Sequence, residues 1–328
     1  MNQFQIDINE NTLQKMNSKL LPVLLKDRSS GKNIIWATDI YAYRGGGYQK
    51  NDSISISSIT GYYGQVIKPR IVKSKKEQNK RIKQKAEVFT PAWVCNKQNN
   101  LVDNAWFGVK NVFNIERGNE WSETVNKIPF PTVDGKTWQD YVLDTRLEIT
   151  CGEAPYLVSR YDTVTGELIE LSHRIGILDR KMRVVNENTT SEQEWIQWVL
   201  AAFKSTYGYE WQGDNVLIAR ENLLLSFIDY YTSRFHKDPS IEKLLDIAEI
   251  LSWNIWQMDG LKFVIPDSCE DTDTGQLSLF QKEKTYCEGC ATNNPFLHRG
   301  TYCKIRDWKA NKTIKFVSLL KKGKANES

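Results

Sequence analysis

An α/β fold is predicted for this chain by three strand-like segments that each end in an acidic residue. An apolar run over residues 141–147 ends at Glu148, and small residues follow it. A second pattern, 207–210, ends in an acid before a long apolar helix, and a third, 255–259, follows an amphipathic helix pattern over 241–250. Parallel strands end at one edge of their sheet, where open α/β sheets bind ligands. We therefore predict parallel strands alternating with helices, with a ligand site at the strand ends.

The composition is that of an ordinary soluble protein. Charged residues make up 26% and hydrophobic residues 40% of the 328 positions. This length suits one large domain or two unequal ones. No run approaches the roughly 18 consecutive apolar residues of a membrane helix, and residues 1–7 lack the layout of a signal peptide. We expect a cytoplasmic protein without membrane contact.

Three regions are predicted along the chain. Residues 1–85 form a mixed N-terminal region with a basic exit, residues 86–267 form the α/β core, and residues 268–328 form a small C-terminal module rich in cysteine. We place the boundaries by the patterns that each region carries. The strands that end in acids are confined to the middle region, basic residues collect before it, and cysteines collect after it.

Shorter patterns predict additional strands outside the three main ones. Residues 33–37 and 64–72 look like strands of the N-terminal region, and residues 174–179 look like a strand that ends in Asp179. Residues 192–204 place apolar side chains at helical spacing, which indicates a packed helix.

One segment concentrates positive charge, although the formal net charge is only +4. From Lys68 to Lys85, nine basic residues accompany a single acid, Glu77. Such a run is either a solvated surface or a contact for nucleic-acid phosphates. Both interpretations stay open from the sequence.

Four stretches of the core resemble a known family. Residues 87–91, Glu-Val-Phe-Thr-Pro, precede an apolar helix pattern, and residues 148–157 are similar to the motif Asp-Pro-x-Cys-Gly-x-Gly-x-Phe-Leu. Residues 207–224 are similar to a second motif, Gly-x-Glu followed by a helix with Ala-Arg-x-Asn-Leu, and residues 255–261 to a third, a strand ending in Asp-x-Leu. Together they resemble adenine-specific DNA methyltransferases of restriction-modification systems, especially Type I modification subunits.

The resemblance implies a Rossmann-like core that binds S-adenosylmethionine. In the family, the position of Phe89 packs against the methionine part, that of Glu210 accepts from the ribose hydroxyls, and that of Asp259 accepts from the adenine amine. Asp179 is the alternative to Glu210, and Ala154 stands where the family has its second glycine. The implied cofactor-binding residues are Phe89, Thr90, Glu148, Cys151, Gly152, Glu210 and Asp259.

Catalysis in this family depends on an Asn/Asp-Pro-Pro-Tyr/Phe loop that accepts both hydrogens of the target amine while its aromatic ring stacks on a flipped base. The most similar string is Asn293, Asn294, Pro295 and Phe296, which has Asn in place of the first Pro and no apolar strand before it. The other interpretation is a turn inside a metal knuckle, because Asn-Pro pairs commonly form turns.

The cysteines crowd towards the end of the chain. Cys287, Cys290, His298 and Cys303 give three thiolates and one imidazole in a short span, a donor set that suits a tetrahedral zinc site. Cys269 is an alternative to His298 as fourth ligand. Free thiols are the other interpretation.

Two functions fit the resemblance, and a third alternative is an unrelated nucleotide-binding protein that shares only the strand-loop pattern. The first is an S-adenosylmethionine-dependent DNA adenine-N6 methyltransferase, or modification subunit, that acts on double-stranded DNA, with a restriction or specificity subunit as its partner. The second is a methyltransferase-fold subunit that binds DNA or a partner and has lost catalysis.

Overall fold

The computed structural model describes residues 6, 9–85, 87–131, 135–269, 272–277 and 282–320, with the backbone alone for 84, 85, 272–277 and 282–285. The helices of this part of the chain are α1 Glu10–Met16, α2 Leu20–Leu25, α3 Ile56–Ile59, α4 Lys75–Lys85, α5 Ala92–Phe107, α6 Trp138–Leu143, α7 Ile177–Asn188, α8 Glu192–Lys204, α9 Gly213–Phe235, α10 Ile241–Asn254 and α11 Glu288–Thr292. The strands are β1 Asn114–Arg117, β2 Glu120–Glu123, β3 Arg146–Glu148, β4 Thr206–Glu210, β5 Ile255–Gln257, β6 Thr272–Leu277, β7 Lys282–Thr285, β8 Lys304–Asp307 and β9 Lys312–Lys315.

The centre of the molecule is a parallel sheet of β3, β4 and β5 in that order. Arg146 pairs with Thr206, and Gly208 pairs with Ile255. The other strand pairs, β1–β2, β6–β7 and β8–β9, are antiparallel hairpins. The predicted mixed α/β fold is confirmed, with the three main strands adjacent and pointing the same way.

The two faces of this sheet carry different side chains, because neighbouring residues of a strand point to opposite faces. Ile255 belongs to the main hydrophobic cluster, together with apolar residues of α2, α8, α9 and α10. Tyr209 and Trp256 belong to a second cluster on the other side, with Cys303 and Ile305 of the C-terminal segment. The sheet is therefore covered on both faces, as parallel sheets usually are.

The strands predicted at 33–37 and 64–72 are wrong. Residues 33–37 form only isolated bridges. The side-chain amide of Gln257 occupies the backbone of Ile35: its oxygen accepts from the Ile35 N–H at 2.9 Å, and its nitrogen donates to the Ile35 carbonyl at 2.8 Å. Residues 64–72 form turns and one 3-10 turn. Pro69 lies in this segment and has no N–H to offer a strand ladder.

The strand predicted at 174–179 is also wrong. Helix α7 begins at Ile177, and Asp179 lies in its first turn, where its carboxylate accepts from the N–H of Gly176 at 3.2 Å. The same carboxylate accepts from the N–H of Ser159 at 2.8 Å. Asp179 is thus the buried third residue of α7, whose side chain caps the helix start, and not a strand-end acid.

The apolar run 141–147 is divided between two elements. A capping box between Thr137 and Asp140 starts α6, in which the Thr137 N–H donates to Asp140 at 2.8 Å and the Asp140 N–H donates to Thr137 at 3.3 Å. The helix takes the run up to Leu143, and the strand begins only at Arg146.

The N-terminal region shares the core of the central one. Leucines of α1 and α2 belong to the same hydrophobic cluster as α9 and α10. The buried Arg220 of α9 donates to the carbonyl of Lys26 at 3.0 Å and to that of Ile255 at 2.8 Å. Helix α8 is formed over the predicted residues 192–204.

None of the described helices combines the length and the apolar character that crossing a bilayer requires.

Lys181 of α7 gives a test of this packing. Burial lowers the pKa of its amine to about 7, and the Nζ atom donates to Asp144 O at 2.6 Å and Ser205 Oγ at 2.7 Å. The unfolded chain keeps this proton up to about pH 10, so the free energy of unfolding should rise between about pH 7 and pH 10, by at most about 1.4 kcal/mol per pH unit from this group.

Urea unfolding of Lys181→Met at pH 7 and pH 9 should lack this rise, whereas the exposed-site control Lys127→Met should keep it. An equal pH dependence in the two variants would contradict the buried amine.

Candidate functional site

A cavity of about 910 Å³ lies at the carboxyl ends of β3 and β4. Its walls come from the segment before α5, the loop after β3 and the start of α9. Six of the seven residues implied as cofactor ligands line this one cavity: Phe89, Thr90, Glu148, Cys151, Gly152 and Glu210. The structure thus brings together side chains that are up to about 120 positions apart in the sequence, because the parallel strands end at the same edge.

The loop after β3 turns tightly because three of its residues adopt left-handed backbone angles. Thr150 has φ 48°, Gly152 has φ 54° and Ala154 has φ 65°. A left-handed alanine costs roughly 1–2 kcal/mol, so the position of Ala154 is one that favours glycine. The Cys151 N–H donates to the carbonyl of Tyr209 at 2.8 Å, which holds the loop against β4.

Glu210 joins this loop to the end of β4. One carboxylate oxygen accepts from the Gly152 N–H at 3.0 Å, and the other accepts from the Gln212 N–H at 3.1 Å. Burial raises the pKa of the Glu210 carboxyl, and these backbone donors act in the opposite direction. Glu210 therefore fixes the cavity wall as well as lining it.

Glu148 has one carboxylate oxygen available for a ligand. Its Oε1 atom accepts from the Tyr156 N–H at 3.4 Å, whereas its buried Oε2 atom has no hydrogen-bond partner in the described part of the chain. Burial raises the pKa of this carboxyl well above its usual value. A cationic or hydrogen-bond-donating ligand would stabilise the ionised form.

Cys151 packs rather than reacts. A Cβ atom at position 208 would lie 3.2 Å from the Cys151 sulfur, so glycine in β4 leaves room for this thiol. Burial raises the pKa of Cys151 well above its ordinary value, which keeps the sulfur protonated. The residue fills space beneath the cavity.

Phe89 lines the cavity beside the loop that follows β3. Its ring lies beside Gly152, where an added Cβ atom would be 3.6 Å from it, and the Arg70 guanidinium lies 5.2 Å from the ring centre. The carbonyl of Thr90 accepts from the hydroxyl of Thr163 at 3.1 Å. Phe89 and Thr90 are therefore held in place by contacts with Arg70 and Thr163.

Asp259 does not line this cavity. Its carboxylate accepts from the N–H groups of Leu261 at 3.0 Å and Lys262 at 3.1 Å, within its own turn after β5. The shape of this turn comes from a bridge between Asp259 and Val264, which folds the chain back immediately after the strand.

Several polar residues of the cavity were missed by the sequence analysis, and three of them share one partner. Glu87, Gln212 and Asn215 line the cavity, and the buried Arg81 of α4 contacts all three. The available signal was position alone: Glu87 precedes the Phe-Thr-Pro element, and the other two follow Glu210 by two and five residues.

The residues compared with the catalytic loop do not line the cavity. They lie between Cys290 and His298. Asn293 ends α11 with φ 52°, and the Asn294 side chain accepts from the Phe296 N–H at 3.0 Å. The carbonyl of Pro295 accepts from the Tyr302 hydroxyl at 3.0 Å. These four residues form a turn within the cysteine- and histidine-containing segment 287–298, called the knuckle below, and such a turn is what the alternative interpretation expects.

The knuckle places Cys287, Cys290 and His298 beside Cys269, and the donor atoms of these four residues all lie within 4.8 Å of one another. The His298 Nδ1 atom is 3.6 Å from the sulfurs of Cys269 and Cys290 and 3.8 Å from that of Cys287. Tetrahedral zinc with ordinary bond lengths separates sulfur and nitrogen ligands by about 3.6 Å. The cluster has the spacing that a metal ion requires.

Cys303 is not part of this cluster, which corrects the ligand set predicted from spacing. Its thiol is buried in the second hydrophobic cluster and donates to the carbonyl of Gln257 at 3.3 Å. Cys269 takes its place, and His298 remains a ligand candidate. The pairing of Val264 with Tyr302 explains the exchange, because it turns the residue after Tyr302 towards the sheet.

Comparisons of the chain with family models, curated proteins and solved structures find no match in any of the three.

Metal content tests the corrected ligand set. Cys287→Ser and Cys269→Ser should each lose most of the bound ion, because three donors hold zinc far more weakly than four, whereas Cys303→Ser should keep about one ion per chain, like the unmodified protein. Mass spectrometry of the purified variants measures this directly. Loss of the ion in Cys303→Ser with full retention in Cys269→Ser would restore the spacing-based set.

Proposed function

We propose that this protein binds S-adenosylmethionine in the strand-edge cavity and acts on DNA as an adenine-N6 methyltransferase or modification subunit. The observation that carries the proposal is the convergence of Phe89, the Cys151–Gly152 loop and Glu210 on one cavity. The order β3–β4–β5 also fits one half of a doubly wound sheet, in which nucleotides bind across the carboxyl ends of the strands.

The carboxylates of the cavity suit this ligand. S-adenosylmethionine carries a sulfonium and an ammonium, and the unpartnered Glu148 oxygen offers a counter-charge to a cation. An ionised carboxylate has about four acceptor positions, so Glu210 can accept from ribose hydroxyls while keeping its two backbone partners. The bound cofactor would supply an electrophilic methyl group. The chain's own residues would bind and orient it.

Helix α4 supplies the proposed DNA contact. Lys76, Lys80 and Lys83 lie around a shallow concavity on its outer side, where phosphates can reach their amines. Two other bases of this segment are excluded from that role, because Arg81 and Lys73 are buried beside Asp214, at 2.8 and 3.7 Å. The basic segment is therefore partly an exposed surface and partly an internal ion cluster.

A second candidate function is a methyltransferase-fold subunit without catalysis. It is favoured by the position of Asn293–Phe296, which form a knuckle turn and do not line the cavity. A partner subunit would then supply the transfer step.

We also propose zinc as the metal, since three thiolates and one imidazole form a closed site of the kind that structural zinc occupies. Reduced thiolate ligands fit a cytoplasmic protein, because reducing compartments disfavour disulfides.

Calorimetry with S-adenosylmethionine tests the binding proposal. The unmodified chain should bind with a Kd on the order of micromolar, and Glu210→Ala should bind about tenfold or more weakly, because it loses the ribose acceptor and frees the Gly152 loop. Asp259→Asn, outside the cavity, should bind like the unmodified chain. The absence of binding heat with folded protein would refute both candidate functions.

Methyl transfer to unmethylated duplex DNA separates the two candidates. The enzyme hypothesis expects tritium incorporation from labelled cofactor, reduced about tenfold or more in Glu210→Ala at cofactor concentrations below the Kd. Asn293→Ala and Asn294→Ala should leave any transfer unchanged, because both residues lie in the knuckle turn. Binding of cofactor and DNA without incorporation would favour the non-catalytic subunit.

A further inference from the structure

Two residues that line the cavity each carry a buried polar atom that has no hydrogen-bond partner among the described residues. Glu87 Oε1 and Asn215 Nδ2 are both inaccessible to solvent and make no hydrogen bond within the described part of the chain. Both residues line the cavity, with exposed fractions of 8% and 1%. Leaving such an atom unpaired costs about 1–3 kcal/mol. The two atoms are therefore best explained by a ligand that supplies a donor to Glu87 and an acceptor to Asn215.

Arg81 fixes which atoms of these side chains remain available. Its Nε atom donates to Glu87 Oε2 at 2.5 Å, and its Nη2 atom donates to Asn215 Oδ1 at 3.4 Å. A guanidinium has donors only, so the oxygen of the Asn215 amide faces Arg81 and the nitrogen faces away. Glu87 likewise keeps its second oxygen for another partner. The remaining pair is one acceptor and one donor.

Other buried contacts hold this arrangement in place. The Gln212 amide donates to Glu87 Oε2 at 3.1 Å and accepts from Arg81 at 3.4 Å. Asp214 pairs with Arg81 at 2.8 Å, and the Arg81 side chain is only 2% exposed. A ligand would meet hydrogen-bonding groups that are already oriented, which lowers the entropy cost of binding.

We propose that Glu87 and Asn215 form a subsite for the amino edge of adenine. The 6-amino group donates to Glu87 Oε1, and the neighbouring ring nitrogen accepts from Asn215 Nδ2, since adenine presents a donor beside an acceptor. The rings of Phe89 and Trp211 line the same cavity and offer apolar surface to a planar base. This assignment rests on the proposed function, and it gives the adenine contact to Glu87 and Asn215 instead of Asp259.

Hypoxanthine reverses the hydrogen-bonding pattern of adenine, so it provides the test. Calorimetry compares S-adenosylhomocysteine with S-inosylhomocysteine, and fluorescence anisotropy compares single-stranded oligo(dA) with oligo(dI), which distinguishes a cofactor from a nucleic acid as the source of the base. The unmodified chain should prefer the adenine ligand by about tenfold or more. Glu87→Gln should abolish or reverse that preference, because the new amide can donate to the hypoxanthine oxygen.

Two further variants separate recognition from folding. Asn215→Asp, which replaces the donor by an acceptor, should also lose the preference, and the exposed-site control Glu120→Gln should keep it. Thermal unfolding verifies that each variant is folded. A preference that survives both Glu87→Gln and Asn215→Asp in folded protein would overturn the subsite, while S-adenosylhomocysteine binding would still support the proposed function.

The two arms also distinguish the failure of one proposal from that of the other. If neither homocysteine compound binds, the proposed cofactor function fails, and the oligonucleotides decide the subsite. An oligo(dA) preference that Glu87→Gln removes would assign the subsite to a nucleic-acid adenine. Equal binding of adenine and hypoxanthine ligands in both arms would overturn it.

Discussion

The hydrogen bond from the Gly152 N–H to the Glu210 carboxylate, at 3.0 Å, joins the ends of two neighbouring parallel strands, and the cavity depends on this contact. The strands must end at the same edge for it to form, which the parallel pairing of β3 with β4 ensures. The cost of burying the carboxylate is offset by two backbone donors, so the same residue that a ligand would meet also shapes the loop opposite it. The geometry of the site therefore depends directly on the topology of the sheet.

Local sequence patterns predicted the parts of this arrangement that depend on neighbouring residues. The acid at Glu210 ends a strand and precedes a long apolar helix, and both elements form as the pattern indicates. The predictions were wrong where a backbone or carboxylate group bonds a residue that is distant in sequence. Ile35 bonds the Gln257 side chain, and Asp179 caps a helix whose start is fixed by Ser159, contacts that no local periodicity encodes.

Spacing misled the analysis of the cysteines for a similar reason. Cys303 is near Cys290 and His298 in sequence, but the chain has returned to the sheet by residue 303. The Cys303 sulfur is therefore buried against β5. Cys269, farther away in sequence, belongs to the cluster, and the neighbouring Ser268 Oγ accepts from the Thr301 N–H at 3.1 Å. The Arg81 network was equally hidden, since it links α4, Glu87 and the start of α9 across more than a hundred residues.

A crystal structure of the chain with S-adenosylhomocysteine would test the proposed cavity most directly. The ligand should lie between Phe89, Gly152 and Glu210, with its base beside Glu87 and Asn215. Ligand density beside the Asp259 turn, or on the outer surface of the sheet with the strand-edge cavity empty, would contradict the assignment.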